Sequence, residues 1–125
     1  LVKAMIKKRL QVDGARVLIL GLAFKENCPD VRNTRIVDVI RDLQDYGVLV
    51  DVHDPWVDPK AAQREHGLAL IPAPDRGTYD AVILAVAHRQ FVEWGANGVR
   101  ALIHDGGIIY DLKEVLAAGS ADLEL

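Results

Sequence analysis

Six consecutive apolar residues, Ala81-Val82-Ile83-Leu84-Ala85-Val86, set the strictest limit on what this chain can become. The run is far too short to cross a membrane, and it lacks the in-out alternation of a strand with one wet face. A strand of this kind is covered on both faces, so it belongs in the middle of a parallel sheet with helices on either side. Val17-Leu18-Ile19-Leu20 has the same character. After it, Ile36, Val37, Val39, Ile40 and Leu43 recur at the spacing of one helix face.

The remaining segments extend that alternation. Val2, Met5, Ile6 and Leu10 repeat at helical spacing, with Lys3, Lys7, Lys8 and Arg9 on the other faces, and the Asp13-Gly14 turn ends the segment. Residues 1–13 therefore read as a connecting helix and 14–125 as the domain proper. Strands are expected over 15–21, 48–53, 68–71, 81–86 and 108–111. Helical stretches are expected from Asn33 or Thr34 to Tyr46, over 58–66, 88–93 and 95–104, and over 112–118 as a closing helix. Gly47 and Gly119 stand as helix stops, and Asp58-Pro59 has the N-cap and first-turn arrangement. Such alternation implies parallel strands joined by right-handed crossovers, hence a three-layer, doubly wound, Rossmann-like α/β domain.

Bulk properties narrow the function classes. A chain of 125 residues supports one compact domain with a real core. Its formal net charge of −3 offers no field to a nucleic-acid backbone. The single cysteine, Cys28, rules out an internal disulfide, so nothing demands an oxidising compartment. With no apolar run near twenty residues and no cleavable leader in view, a cytoplasmic protein without membrane partners is expected. The first residue is Leu1, and the opening helix looks like the tail of something longer, so a fragment of a larger protein is expected.

Chemistry points to the stretch after the first strand, residues 21–34, which is longer than a strand-to-helix connection needs. It leaves the carboxyl end of a strand, where open α/β sheets bind ligands. Lys25, Arg32 and a helix amino terminus near Asn33 or Thr34 favour an anion, and a phosphate-bearing ligand fits that set. The alternative is that both cations are solvated, with Arg32 paired to Asp30 or Glu26 at the surface. A dinucleotide domain would carry G-x-G-x-x-G here, whereas Gly21-Leu22-Ala23-Phe24-Lys25-Glu26 has one glycine. A pyrophosphate cannot lie on that backbone in the usual way, and side chains must meet any anion.

Other candidates are weaker. Cys28 lies near two cations but has no histidine close in sequence, and it reads as inert. His53, His66, His88 and His104 form no i, i+4 pair and have no cysteine companions, so no metal is expected. His88 is placed to touch a ligand or neighbouring domain, although a helix-start histidine without a partner is the commoner case. Asp54-Pro55 follows the second strand where an acid grips a ribose in dinucleotide domains, but without the glycine fingerprint a turn former is favoured. Lys113 is a third cation for the same anion if the strand order brings its loop to Lys25, and otherwise an exposed lysine.

Gly21 to Arg35, read as Gly-Leu-Ala-Phe-Lys-Glu-Asn-Cys-Pro-Asp-Val-Arg-Asn-Thr-Arg, closely resembles the G-x-x-F-K-x-x-x-x-D-x-R segment of the UDP-glucose/GDP-mannose dehydrogenase family. That segment opens the C-terminal, UDP-binding domain. The Glu-Asn-Cys-Pro-Asp variant is most similar to the branch acting on UDP-N-acetylhexosamines for surface polysaccharide synthesis. Asp54-Pro55, the segment from Asp80 to Phe91, and Asp111-Leu112-Lys113 fall in the family's order, so the resemblance covers nearly everything from Gly14 onward. It implies an NAD-dependent oxidation of a UDP-sugar C6 alcohol to a carboxylate, on a catalytic cysteine lying outside this chain; Cys28 is not its counterpart. It further implies that Phe24, Lys25 and Lys113 contact the UDP-sugar and that Arg32 reaches the NAD held by an N-terminal domain. Lysine at 113 departs from the arginine frequent in UDP-glucose enzymes. N-terminal and central domains of the same enzyme are the implied partners, in a parent homodimer.

Overall fold

The structure, a computed structural model, describes residues 1–32, 34–113, 115–117 and 119–124. Its elements are α1 (Val2–Lys7), β1 (Arg16–Leu20), α2 (Ile36–Asp45), β2 (Leu49–His53), α3 (Pro59–His66), β3 (Tyr79–Leu84), α4 (Arg89–Arg100), β4 (Ile103–Asp111) and β5 (Leu123–Glu124). The five strands form one sheet in the order β2-β1-β3-β4-β5, with every pair parallel.

Period-two alternation sends β1 into two cores. Val17 and Ile19 join Met5 of α1, Val37, Ile40 and Leu43 of α2, and Ala62 of α3. Leu18 and Leu20 join Phe91 and Val99 of α4 on the other face. Leu18, Ile19, Leu20 and Leu84 are fully buried, each contributing about 1.5–3 kcal/mol. The sheet is thus the middle of three layers.

Register decides where chemistry can sit. Leu20 lies opposite both His53 and Leu84, Leu84 lies opposite Asp111, and Asp111 opposite Glu124. The strands therefore finish level, and the chain segments leaving β1, β2, β3 and β4 share one edge. The order reverses between β1 and β3, the topological switch point of such sheets. Gly21, first past β1, is what lets two exits cross there: its φ is +106°, and a Cβ would come within 2.6 Å of the Val86 Cβ.

Several local signals act as expected. Asp58 caps α3 by accepting from Lys60 N, with Pro59 behind it, and Gly67 ends the helix at φ 65°. Gly47 takes φ +80° after α2. Gly95, with φ 65° and ψ −177°, breaks α4 where two helical stretches were read.

Elsewhere the expectations need correction. Residues 68–71 form no strand: Leu70 makes a single bridge to Val52, because Pro72 and Pro74 lack the N–H groups needed to extend a ladder. The helix expected to His104 ends at Arg100, and Ile103 and His104 belong to β4. Leu102 and Ile103 are buried as a helix face would be, but β4 bulges between Ile103, opposite Tyr79, and Ile108, opposite Ala81, with Gly106 at φ +85°. The opening helix stops at Lys7, short of Leu10, where Arg9 turns to φ 60°. Helix α2 starts at Ile36, with Thr34 Oγ1 accepting from Ile36 N at 3.2 Å; Asn33, the alternative cap, lies outside the described residues. In the closing segment, residues 112, 113 and 115–117 are not helical, while Glu114 and Ala118 lie outside the described residues. The Asp111 carboxylate gathers the amides of Lys113, Val115 and Leu116 at 3.3, 2.9 and 2.8 Å, which bends the chain back on itself. Strand β5 was not expected; two residues carry no readable pattern.

Candidate functional site

The loop leaving β1 is long, yet its backbone is tied down by side chains from other segments. Asp54, immediately after β2, puts Oδ2 against the successive amides of Leu22 and Ala23 at 2.7 and 2.9 Å. Its Oδ1 accepts from Trp56 N at 2.8 Å, closing a local turn. His88, between β3 and α4, meets the same Oδ2 through Nε2 at 2.9 Å, and both side chains are wholly buried. The other ring nitrogen, Nδ1, takes the N–H of Asn27 at 2.9 Å. A backbone N–H only donates, so Nδ1 accepts and the ring proton sits on Nε2, aimed at Asp54. Asn27 Oδ1 in turn accepts from Arg89 N at 2.9 Å, and Phe24 N donates to Asp30 O at 2.7 Å. Farther along, His66 of α3 bonds the Val31 carbonyl at 2.6 Å.

Electrostatics agree with that geometry. Burial pushes the Asp54 carboxyl up, but the bonds from His88, Ala23 and Leu22 outweigh it and hold the group below the ordinary carboxylate range. Asp54 is thus an anion at the meeting point of three strand exits. Reading it as a turn former accounts for one of its two oxygens only. The expectation that His88 lacks a partner is overturned as well: its ring links Asp54 to Asn27. Sequence spacing hid this pair, because the two residues stand 34 positions apart. The available signal was that each directly follows a strand of a parallel sheet.

The residues named from sequence stand on the outside of this anchored loop. Phe24 is 56% exposed, and Lys25 is exposed beside it. Arg32 is exposed too, and its Nε and Nη2 grip the two Asp30 oxygens, both at 3.1 Å. The surface pairing foreseen for Arg32 is the one found. Its hydrogen bonds hold the Asp30 carboxyl below its ordinary value. Lys113 is exposed after β4, whose exit lies two strands from that of β1, about 10 Å along the sheet edge. The sequence places both residues on the carboxyl edge and leaves the distance open; the β1-β3-β4 order leaves one strand, β3, between their exits. Cys28 is free and half buried. Among the described residues no group of three or more His, Cys, Asp or Glu side chains is placed to hold a metal, and no helix is long and apolar enough to cross a membrane.

Beside this geometry stand the relatives. The sequence profile described as "UDP-glucose/GDP-mannose dehydrogenase family, UDP binding domain" matches residues 18–118. The chain belongs to that family. The UDP-binding domain is 51% identical over its whole length to a UDP-N-acetyl-D-glucosamine 6-dehydrogenase of Pseudomonas aeruginosa, of which it covers 30%. It is 49% identical to the Salmonella typhi enzyme of the same name, covering 29%. Staphylococcus aureus Protein CapL is 39% identical over 92% of the chain, which covers 27% of CapL. The domain therefore spans about 30% of the length of the curated relatives it matches. Among solved structures, a UDP-glucose dehydrogenase from Pyrobaculum islandicum superposes with a TM-score of 0.70 at 30% identity, over 98% of this chain and 27% of that one. An NDP-N-acetyl-D-galactosaminuronic acid dehydrogenase from Methanosarcina mazei reaches 0.80 at 24% identity, over 93% and 24%, a likeness of fold.

Within the family domain, the exit of β1 does not fit a dinucleotide. It has one glycine, and the two amides that would face a pyrophosphate are engaged by Asp54.

Proposed function

We propose that this UDP-binding domain holds the UDP-sugar substrate of an NAD-dependent nucleotide-sugar 6-dehydrogenase, with Phe24, Lys25 and Lys113 as the contacting residues. One observation carries the proposal: the loop's inward amides are tied down while Phe24 and Lys25 stand outward on it. An anchored loop presents a cation and an aromatic wall at little entropic cost, the arrangement a diphosphate beside an apolar base and sugar calls for. The substrate is a UDP-N-acetylhexosamine, a choice supported by the 51% and 49% identical relatives of that name.

NAD, the hydride acceptor, is held outside this chain, and Arg32 is the residue offered to it from this side. The parent enzyme is a cytoplasmic homodimer whose uronic acid product feeds surface polysaccharide synthesis. Residues 1–13 are the link to its central region, and the domain alone performs no oxidation. Titration of UDP into the chain by calorimetry tests the site. Lys25→Ala is expected to weaken UDP binding about tenfold to a hundredfold through loss of a charge-assisted bond. In the longer enzyme the same change raises KM for the UDP-sugar; unchanged binding and kinetics refute the assignment.

A further inference from the structure

Three N–H donors, Leu22 N, Ala23 N and His88 Nε2, converge on the single oxygen Asp54 Oδ2 at 2.7, 2.9 and 2.9 Å. Successive backbone amides at a strand exit, joined by a side-chain donor, are an anion cradle. In dinucleotide domains amides at this exit take a pyrophosphate. Here the anion is supplied by the chain itself, from a side chain with no exposed surface. The cradle is also closed from behind, since Gly21 packs against Val86 and the His88 ring is locked by Asn27.

We propose that Asp54 is a specificity-determining residue: its carboxylate stands in for a phosphate, so that the backbone at the β1 exit refuses external diphosphates and only side chains farther out on the loop can bind one. His88 is its positioning partner. A mere turn former would need only Oδ1, which holds Trp56 N at 2.8 Å; the three donors on Oδ2 have no part in that turn. The inference concerns this chain's own groups and does not require that Lys25 bind UDP.

The test uses the 125-residue chain and two variants. Asp54→Gly removes the carboxylate and leaves the three donors facing a gap. Formate is expected to fill it, raising the melting temperature and shifting the Leu22 and Ala23 amide resonances saturably, with sodium chloride at equal ionic strength as control. Inorganic phosphate is expected to shift the Leu22 and Ala23 amides of the variant in the same way, while in the wild type neither anion moves those two amides beyond the chloride control. Equal responses in wild type and variant, or a folded variant that ignores formate, overturn the proposal. Should Asp54→Gly fail to fold at any formate concentration, Asp54→Asn decides. Asparagine preserves the turn to Trp56 but puts no charge in the cradle, so the unfolding constant is expected to rise about tenfold or more. Wild-type stability of Asp54→Asn would show that turn formation is the whole role of Asp54.

Discussion

Gly21 and Arg32 show opposite ways in which a single residue matters here. Gly21 holds a positive φ of +106° hard against Val86. An alanine there meets both backbone strain and a buried clash, and Gly21→Ala is expected to cost about 2–4 kcal/mol in urea unfolding. Arg32 pairs with Asp30 on the surface, its side chain 75% exposed. Exposed pairs contribute little to stability, so Arg32→Ala should leave the melting temperature unchanged. It should, however, release the Asp30 carboxyl, whose titration followed by NMR is expected to move up toward the ordinary carboxylate value. In the longer enzyme an effect on NAD affinity without a change in folding would mark Arg32 as a contact; a loss of stability would mark it as structural.

At the scale of elements, what positions the site is the set of strand exits. Asp54 and Asp111 act alike in part: each is buried at the carboxyl end of a strand and collects backbone amides, Asp54 those of Leu22 and Ala23 past the neighbouring β1, Asp111 those of Val115 and Leu116 in its own following segment. Asp111→Ala would leave the Val115 and Leu116 amides without that acceptor. The expected cost is about 1–3 kcal/mol, with faster hydrogen exchange at those amides; protection equal to wild type would show that Asp111 does not hold the turn behind Lys113. For the same reason residues 112, 113 and 115–117, read as part of a helix, are not helical. A carboxylate accepting the Val115 and Leu116 amides competes with the intrahelical bonds those two amides would make.

For the molecule as a whole, the two ends of the sheet respond to opposite ends of the pH scale. At the carboxyl edge, the folded-state pKa of Asp54 is depressed despite its burial, because His88, Ala23 and Leu22 bond the charged form. The stability it contributes is present above the unfolded carboxylate value, about 3.9, and is lost as pH falls through the lower folded value. Near the start of β4, bonds to Asp80 and then to the Asp105 carbonyl raise the pKa of His104. Its contribution is present below the unfolded histidine value, about 6.5, and fades as pH rises through the folded one. Thermal melting across pH 3–9 should show an acid decline that His104→Ala leaves in place, and a small alkaline decline that His104→Ala abolishes. An alkaline limb that persists in His104→Ala would rule out the Asp80 pair as its source.

Taken by itself, the sequence determined the layers. Ala81 to Val86 has no wet face, the β1 run matches it, and the helical spacing of Ile36, Val37, Ile40 and Leu43 supplies a cover; burial by period is a local property, readable one segment at a time. It also singled out the loop after β1, because one glycine in place of three departs from the fingerprint of a backbone pyrophosphate site. The tertiary structure alone decided what fills that place. Asp54 and His88 are remote in the chain and adjacent in space only because parallel strands finish level at Leu20, His53 and Leu84. Register and strand order arise from packing across the whole sheet, and so the carboxylate in the cradle, the locked tautomer of His88 and the two-strand spacing to Lys113 exist only once the chain has folded.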